Sequence, residues 1–242
     1  MEFLSGIPAG GTLFNALAIL LGGAVGLFAG RLVPERVQRS IFQCLGLFCL
    51  YLGADMALRM QHVLAVLLSF ILGTAAGELM DLDVRLNSLS DRLKARLRIG
   101  SETFTEGFVT AALLFCIGSM AILGAIEDGV QSNPGLLVTK GVMDGTAALF
   151  LAASLGVGVL FSALPVLLYQ GALTFAAGGA QALITPAMLA DLSGLGGLMI
   201  MGIGLNLLRI TEVRTGNMLP GLILIVQLNR SEERRVGKEC RS

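Results

Sequence analysis

The chain has 242 residues, 55% of them hydrophobic and 14% charged, and its mean hydropathy is +0.80. Soluble domains carry about 25% charged residues, so this composition excludes a chain that meets water over most of its surface. Seventeen basic and seventeen acidic side chains cancel, which removes any global electrostatic case for binding nucleic acid. With one histidine and no Cys-x-x-Cys pair, a metal site has no support, and nothing points to a cofactor.

Apolar stretches separated by charge or proline predict seven to eight spanning helices, each near the roughly 20 residues that cross a bilayer. Span 1 covers Gly10 to Gly30, and the basic stretch Arg31 to Arg39 follows it. Span 2 runs from Ile41 to Leu58 and span 3 from Val63 to Leu79, joined by a turn at Arg59 to His62. Span 4 covers Phe104 to Ile126. From Val138 to Ala180 the apolar character persists over twice one crossing, with Pro165 in mid-run. Proline removes a backbone donor and breaks or kinks a helix, so the boundary between spans 5 and 6 is expected there. Span 7 is Leu192 to Leu208, and a shortened span 8 begins at Asn217. The fold class is therefore all-α: a polytopic transmembrane helix bundle forming one domain over residues 1–230. Its main partner is the lipid bilayer, and a homo-oligomer is allowed. Thirty-two glycines suit close helix contacts in lipid.

Between spans 3 and 4, Asp81 to Arg98 is the one sizeable polar piece. Leu82, Leu86, Leu89, Leu93 and Leu97 recur every three or four residues, which is one face of a helix, and Arg and Lys fill the other. The segment reads as a basic amphipathic helix on the anionic inner leaflet or as a plain cytoplasmic linker. Under alternate crossing, the basic stretches after spans 1, 3 and 7 fall on one side. The loop after span 4, with Glu127 and Asp128, has no Lys or Arg. Positive charge marks the cytoplasm, so the N-terminus is expected outside, with Glu127 and Asp128 touching outside water. Arg59 is an exception that can snorkel.

Ionisable groups within spans are expensive and point to function. Lys140 and Asp144 sit four apart at the start of span 5, on one helical face. They read either as a substrate or coupling-ion site or as a structural ion pair near the outer interface. Glu106 opens span 4, where the helix macrodipole alone favours an acid. Asn15, Gln170 and Asn206 lie deeper; amides there serve as interhelical glue or as ligand groups. Asp55 and Glu78, within a turn of span ends, read as interfacial. The similar stretches Gly46 to Asp55 and Gly197 to Asn206 fall in spans of opposite direction. They suggest an inverted repeat of spans 1–3 and 6–8, an architecture of secondary transporters.

At Ser231 the composition changes abruptly, and seven of the 34 charged residues crowd into residues 231–242. This stretch looks like a vector- or adapter-derived tail and is set aside as non-native.

Several motifs then carry a family resemblance. They are Gly11-Thr-Leu-Phe-Asn15, Gly73-Thr-Ala-Ala-Gly-Glu78, Glu106-Gly-Phe-Val-Thr-Ala and Phe115-Cys-Ile-Gly-Ser-Met-Ala-Ile-Leu-Gly124. Thr139-Lys-Gly-Val-Met-Asp-Gly145, Leu168-Tyr-Gln-Gly171 and Gly216-Asn-Met-Leu-Pro220 complete the set. With these the chain resembles domain-of-unknown-function family 554, the YqgA/YdfK-like bacterial integral membrane proteins. The resemblance implies a bacterial inner-membrane location and no particular substrate. The family continues apolar beyond Asn-Met-Leu-Pro, and this chain departs from it there. The leading functional expectation is a secondary transporter of a small solute or ion; a channel or a non-transporting scaffold or assembly subunit are the alternatives. An enzyme is not expected: there is no His-Glu-x-x-His, no Gly-x-Ser-x-Gly and no phosphate-binding glycine loop.

Overall fold

A computed structural model describes residues 6–32, 34–180 and 185–239, and among these every regular element is a helix. Lipid offers no hydrogen bonds to the backbone, so an apolar segment that crosses it must satisfy its N–H and C=O groups internally, as a helix does. The helices are α1 (Gly10–Leu32), α2 (Glu35–Ala57), α3 (Val63–Leu79), α4 (Leu82–Arg96) and α5 (Phe104–Cys116). They continue with α6 (Ser119–Gln131), α7 (Gly135–Leu155), α8 (Gly158–Phe161), α9 (Ala163–Ala180) and α10 (Pro186–Leu207). A 3-10 turn at Thr215–Met218 leads into α11 (Leu219–Glu239). The three residues from Cys240 lie outside the described residues, as does the side chain of Arg31.

Five stretches are long and apolar enough to cross a membrane alone: α1, most of α2, α7, α8 with α9, and α10. Two bent pairs, α3 with α4 at 56° and α5 with α6 at 60°, bring the number up to seven if each pair counts as one span. Leu21, Phe28, Leu64 and Phe175 are each more than two-thirds exposed. Water-facing surfaces rarely carry so much bare apolar area; here it is the surface that lipid covers. The chain is an all-α, multi-pass membrane protein.

α2 and α10 each start six residues before the expected Ile41 and Leu192, at Glu35 and Pro186, and two breaks also differ from the sequence expectation. The long apolar run breaks at Gly156, not at Pro165. Gly156 ends α7 with a φ of 78°, a left-handed conformation that glycine reaches without a Cβ clash. Pro165 is the third residue of α9, where its missing N–H has no intrahelical partner to lose. Span 4 is broken as well. α5 stops at Cys116, Ile117 is extended, and Gly118 takes a φ of 139° before α6 begins. Asp81 and Arg98, both at positive φ, bracket α4. On α4, Leu89 stays 60% exposed, so its leucine face is only partly packed.

The chain forms two compact units, Met1–Leu47 with Asn87–Leu183, and Phe48–Leu86 with Ile184–Ser242. In the first, α1 and α7 run parallel along a seam of small residues. A Cβ on Gly22 would fall on the carbonyl of Gly145, one on Gly26 on that of Leu149, and one on Gly30 on that of Ala153. Spacing of four puts these glycines on one face. They let two backbones touch, which is how helices associate tightly where lipid removes the hydrophobic drive. α9 lies antiparallel to α1, pairing Asn15 with Gln170 and Thr12 with Thr174.

In the second unit α10 runs antiparallel to the end of α2, with Gly53 and Gly197 in mutual backbone contact. α11 runs antiparallel to α3, with Gly73 against Gly221 and Gly77 against Asn217. Within each unit, every one of these directions agrees with alternate crossing.

The seam makes a sharp prediction. Gly26→Leu should cost about 3 kcal/mol or abolish folding, because backbone has nowhere to move. Gly171→Ala, whose methyl meets open space, should be neutral or stabilising by up to about 1 kcal/mol. Thermal unfolding in detergent micelles measures both.

Candidate functional site at a broken helix

The α1–α7 seam brings the polar face of each helix together. Lys140 and Asp144 lie on the second and third turns of α7 and pair with each other. By helix rise, Asp144 stands about 14 Å below the start of α7, well into the apolar layer. The Lys140 Nζ also donates to the Phe115 carbonyl at 2.8 Å. That carbonyl is available because α5 ends at Cys116, leaving its last carbonyls without an intrahelical partner. The break therefore supplies an acceptor at the depth where the ammonium needs one.

Asn15, on α1, donates through Nδ2 to Asp144 Oδ2 and to Gln170 Oε1, each at 3.1 Å. Lys140, Asp144, Asn15 and Gln170 are all buried, the two amides completely. Asn15 Oδ1 and Gln170 Nε2 nevertheless carry no hydrogen bond. A buried amide with an unfilled valence costs free energy, so two in one cluster mark a place where the protein has left polar capacity unused. Outward along α1, the Thr174 hydroxyl donates to the Gln170 carbonyl at 2.9 Å and lies 3.5 Å from the Thr12 hydroxyl. Asp128 of α6 accepts from the Gly11 backbone N–H at 3.1 Å and is 6% exposed. The expectation that Asp128 touches outside water is thereby corrected: it ties the start of α1 to α6.

Four of the six candidate residues thus meet: Lys140, Asp144, Asn15 and Gln170. Glu106 is not among them. It is exposed in the first turn of α5, nine residues and about 14 Å along the helix from Phe115. Asn206 belongs to the second unit, where its amide makes both hydrogen bonds, at 2.7 Å each, with the backbone of Val213. It staples the loop that follows α10. Asp55 and Glu78 form exposed ion pairs with Arg59 and Arg214, in keeping with an interfacial place.

Sequence reasoning passed over Asp191. This fully buried carboxylate on α10 accepts from the backbone N–H groups of Gln61 and His62 at 2.7 and 2.9 Å. It also pairs with His62 Nδ1 at 2.7 Å and accepts from Asn229 Nδ2 at 3.0 Å. The donors at the start of α3 explain it as a cap supplied from another helix. The available signal was an acid inside an apolar stretch, five residues after Pro186.

A family model described as "Protein of unknown function (DUF554)" matches residues 10–229. The chain belongs to the DUF554 family. It is 32% identical over 224 residues to "Uncharacterized protein YqgA" of Escherichia coli (strain K12), covering 90% of this chain and 95% of that protein. It is 28% identical over 218 residues to "Uncharacterized membrane protein YdfK" of Bacillus subtilis (strain 168), covering 88% and 93%. No solved structure matches the chain. The DUF554 match includes every residue of the polar cluster and ends at Asn229, just before the charged residues 231–242.

If the cluster is a mutually dependent network, Asn15→Ala should lower stability by about 1.5–3 kcal/mol, the usual worth of a hydrogen bond to a charged group. Glu106→Gln should stay within about 0.5 kcal/mol of the parent. Equilibrium unfolding in mixed micelles compares the two directly.

Proposed function

We propose that this DUF554 protein is a secondary transporter of a small solute or ion, with Lys140, Asp144, Asn15 and Gln170 at the binding site. One observation carries the reading: a buried ion pair, joined to two amides with unfilled valences and bonded through Lys140 to a freed carbonyl of a broken helix, lies deep in the apolar layer. Intramembrane charge is costly and marks solute and ion pathways. Secondary transporters place their sites at discontinuous helices, whose freed backbone groups face the substrate. A purely structural pair would be served as well by apolar side chains of similar volume, and would need neither the helix break nor the unfilled amides. The same reading puts the protein in the bacterial inner membrane with its N-terminus outside and its basic loops cytoplasmic.

Two experiments test it. In proteoliposomes on a solid-supported membrane, challenge with a panel of inorganic ions, amino acids and sugars should give a saturable charge displacement for at least one. Asp144→Asn should abolish that signal while the protein elutes as a folded species; an undiminished signal would remove the site from the transport path. For orientation, the native cysteines are replaced and single cysteines introduced at Ser132 and Ser101. A membrane-impermeant maleimide should label Ser132→Cys in intact cells, and Ser101→Cys only after permeabilisation. The opposite pattern would invert the topology.

A further inference from the structure

The cluster's own charge arrangement narrows the solute class, an inference that rests on the transporter reading above. We propose that the site takes a small monovalent cation, which replaces the Lys140 ammonium between the Phe115 carbonyl and the Asp144 carboxylate.

The Lys140 Nζ is a compact, single positive charge on a flexible stem, held by one main-chain carbonyl and one carboxylate. Those are oxygen donors of the kind a desolvated alkali or ammonium ion takes: hard cations prefer oxygen, and carbonyls of broken helices coordinate them in transporters. Lys140 thus occupies the site as a tethered stand-in for the solute. A third oxygen is at hand. Asn15 Oδ1 has no partner, and it belongs to the amide that now presents Nδ2 to Asp144. A half-turn of that amide would put Oδ1 beside Asp144. That arrangement is repulsive against a bare carboxylate and favourable with a cation between them. Gln170 Nε2, also without a bond, could then turn to donate to the same Oδ1.

Charge balance sets the valence. One carboxylate is matched by one positive charge: as the ion enters, the displaced Lys140 ammonium swings on its flexible stem toward the start of α7, so a single cation is left beside Asp144. A divalent ion would leave surplus charge in the apolar layer. The described residues hold no group of three or more His, Cys, Asp or Glu to absorb it. An anionic solute fits less well, because Asp144 and Phe115 already engage the only ammonium of the cluster.

The test uses the purified chain in detergent carrying Cys44→Ser and Cys240→Ser, with thermal unfolding followed by a thiol-reactive dye that then reports exposure of Cys49 and Cys116. Sodium, potassium and ammonium chloride are compared with N-methyl-D-glucamine chloride at constant ionic strength. Lys140→Met removes the tethered competitor and leaves Asp144 without a counter-charge. That variant should be stabilised by at least one of the small cations. The wild type should need about tenfold more of the same ion for an equal shift, as expected for competition at one site. Lys140→Met/Asp144→Asn, which removes both charges, should fold and show no difference between the salts. Three results would overturn the proposal. Lys140→Met could melt identically in all four salts, or the double variant could shift as much as the single one. Lys140→Met could also fail to fold in every small cation while the double variant folds. None of these touches the transporter reading, which stands or falls with the effect of Asp144→Asn on flux.

Discussion

The close approach of α1 and α7 is the constraint on which the rest of the first unit depends. Two helices far apart in sequence lie parallel with their backbones in contact at Gly22, Gly26 and Gly30. In lipid, apolar side chains gain little by leaving one apolar surrounding for another, so packing and polar contacts hold helices together. Three glycines a turn apart allow the closest packing available. The same approach sets the distance at which Asn15 reaches Asp144. A bulkier seam would separate the helices and strand the carboxylate.

The buried charges are held by several weak constraints acting together. An ionised carboxylate in an apolar medium is unfavourable unless paired and hydrogen-bonded. Asp144 has both, from Lys140 on its own helix and Asn15 on α1. The ammonium needs a further acceptor, and the break after Cys116 supplies one in the Phe115 carbonyl. Ending α5 in mid-layer and burying a lysine beside it are each costly, and each offsets part of the other. Asp191 in the second unit is different. Its carboxylate accepts from two backbone N–H groups at the start of α3 and meets His62 Nδ1 and Asn229 Nδ2 as well, so it does the work of a cap.

Much of this was legible from residue type and spacing. Apolar runs placed the spans because their length is set by the bilayer, and the start and end of α3 fall where the sequence put them. Lys140 and Asp144 stood out because charge within an apolar run has few inexpensive explanations. Pro165 misled because proline is tolerated in the first turn of a helix, and its effect depends on where the helix begins. Gly156 was silent, since glycine is common throughout this chain and only a positive φ distinguishes the one that ends α7. Asp128 looked like an outer-loop residue. It is buried because α1 starts beside it, a fact of packing that linear order does not carry.

By itself, the sequence determined that the chain is a multi-pass helical membrane protein, where its apolar stretches lie, and which side chains are too polar for their surroundings. These follow from local properties: hydropathy, length and charge. Only the tertiary structure decided that Asn15, Lys140, Asp144 and Gln170 form one cluster while Glu106 and Asn206 stand outside it. It also showed that span 4 is broken beside the ammonium. The reason is that helix pairing in lipid is chosen by small-residue contacts between distant segments, and in a chain with 32 glycines no single pairing can be read from the order of residues alone.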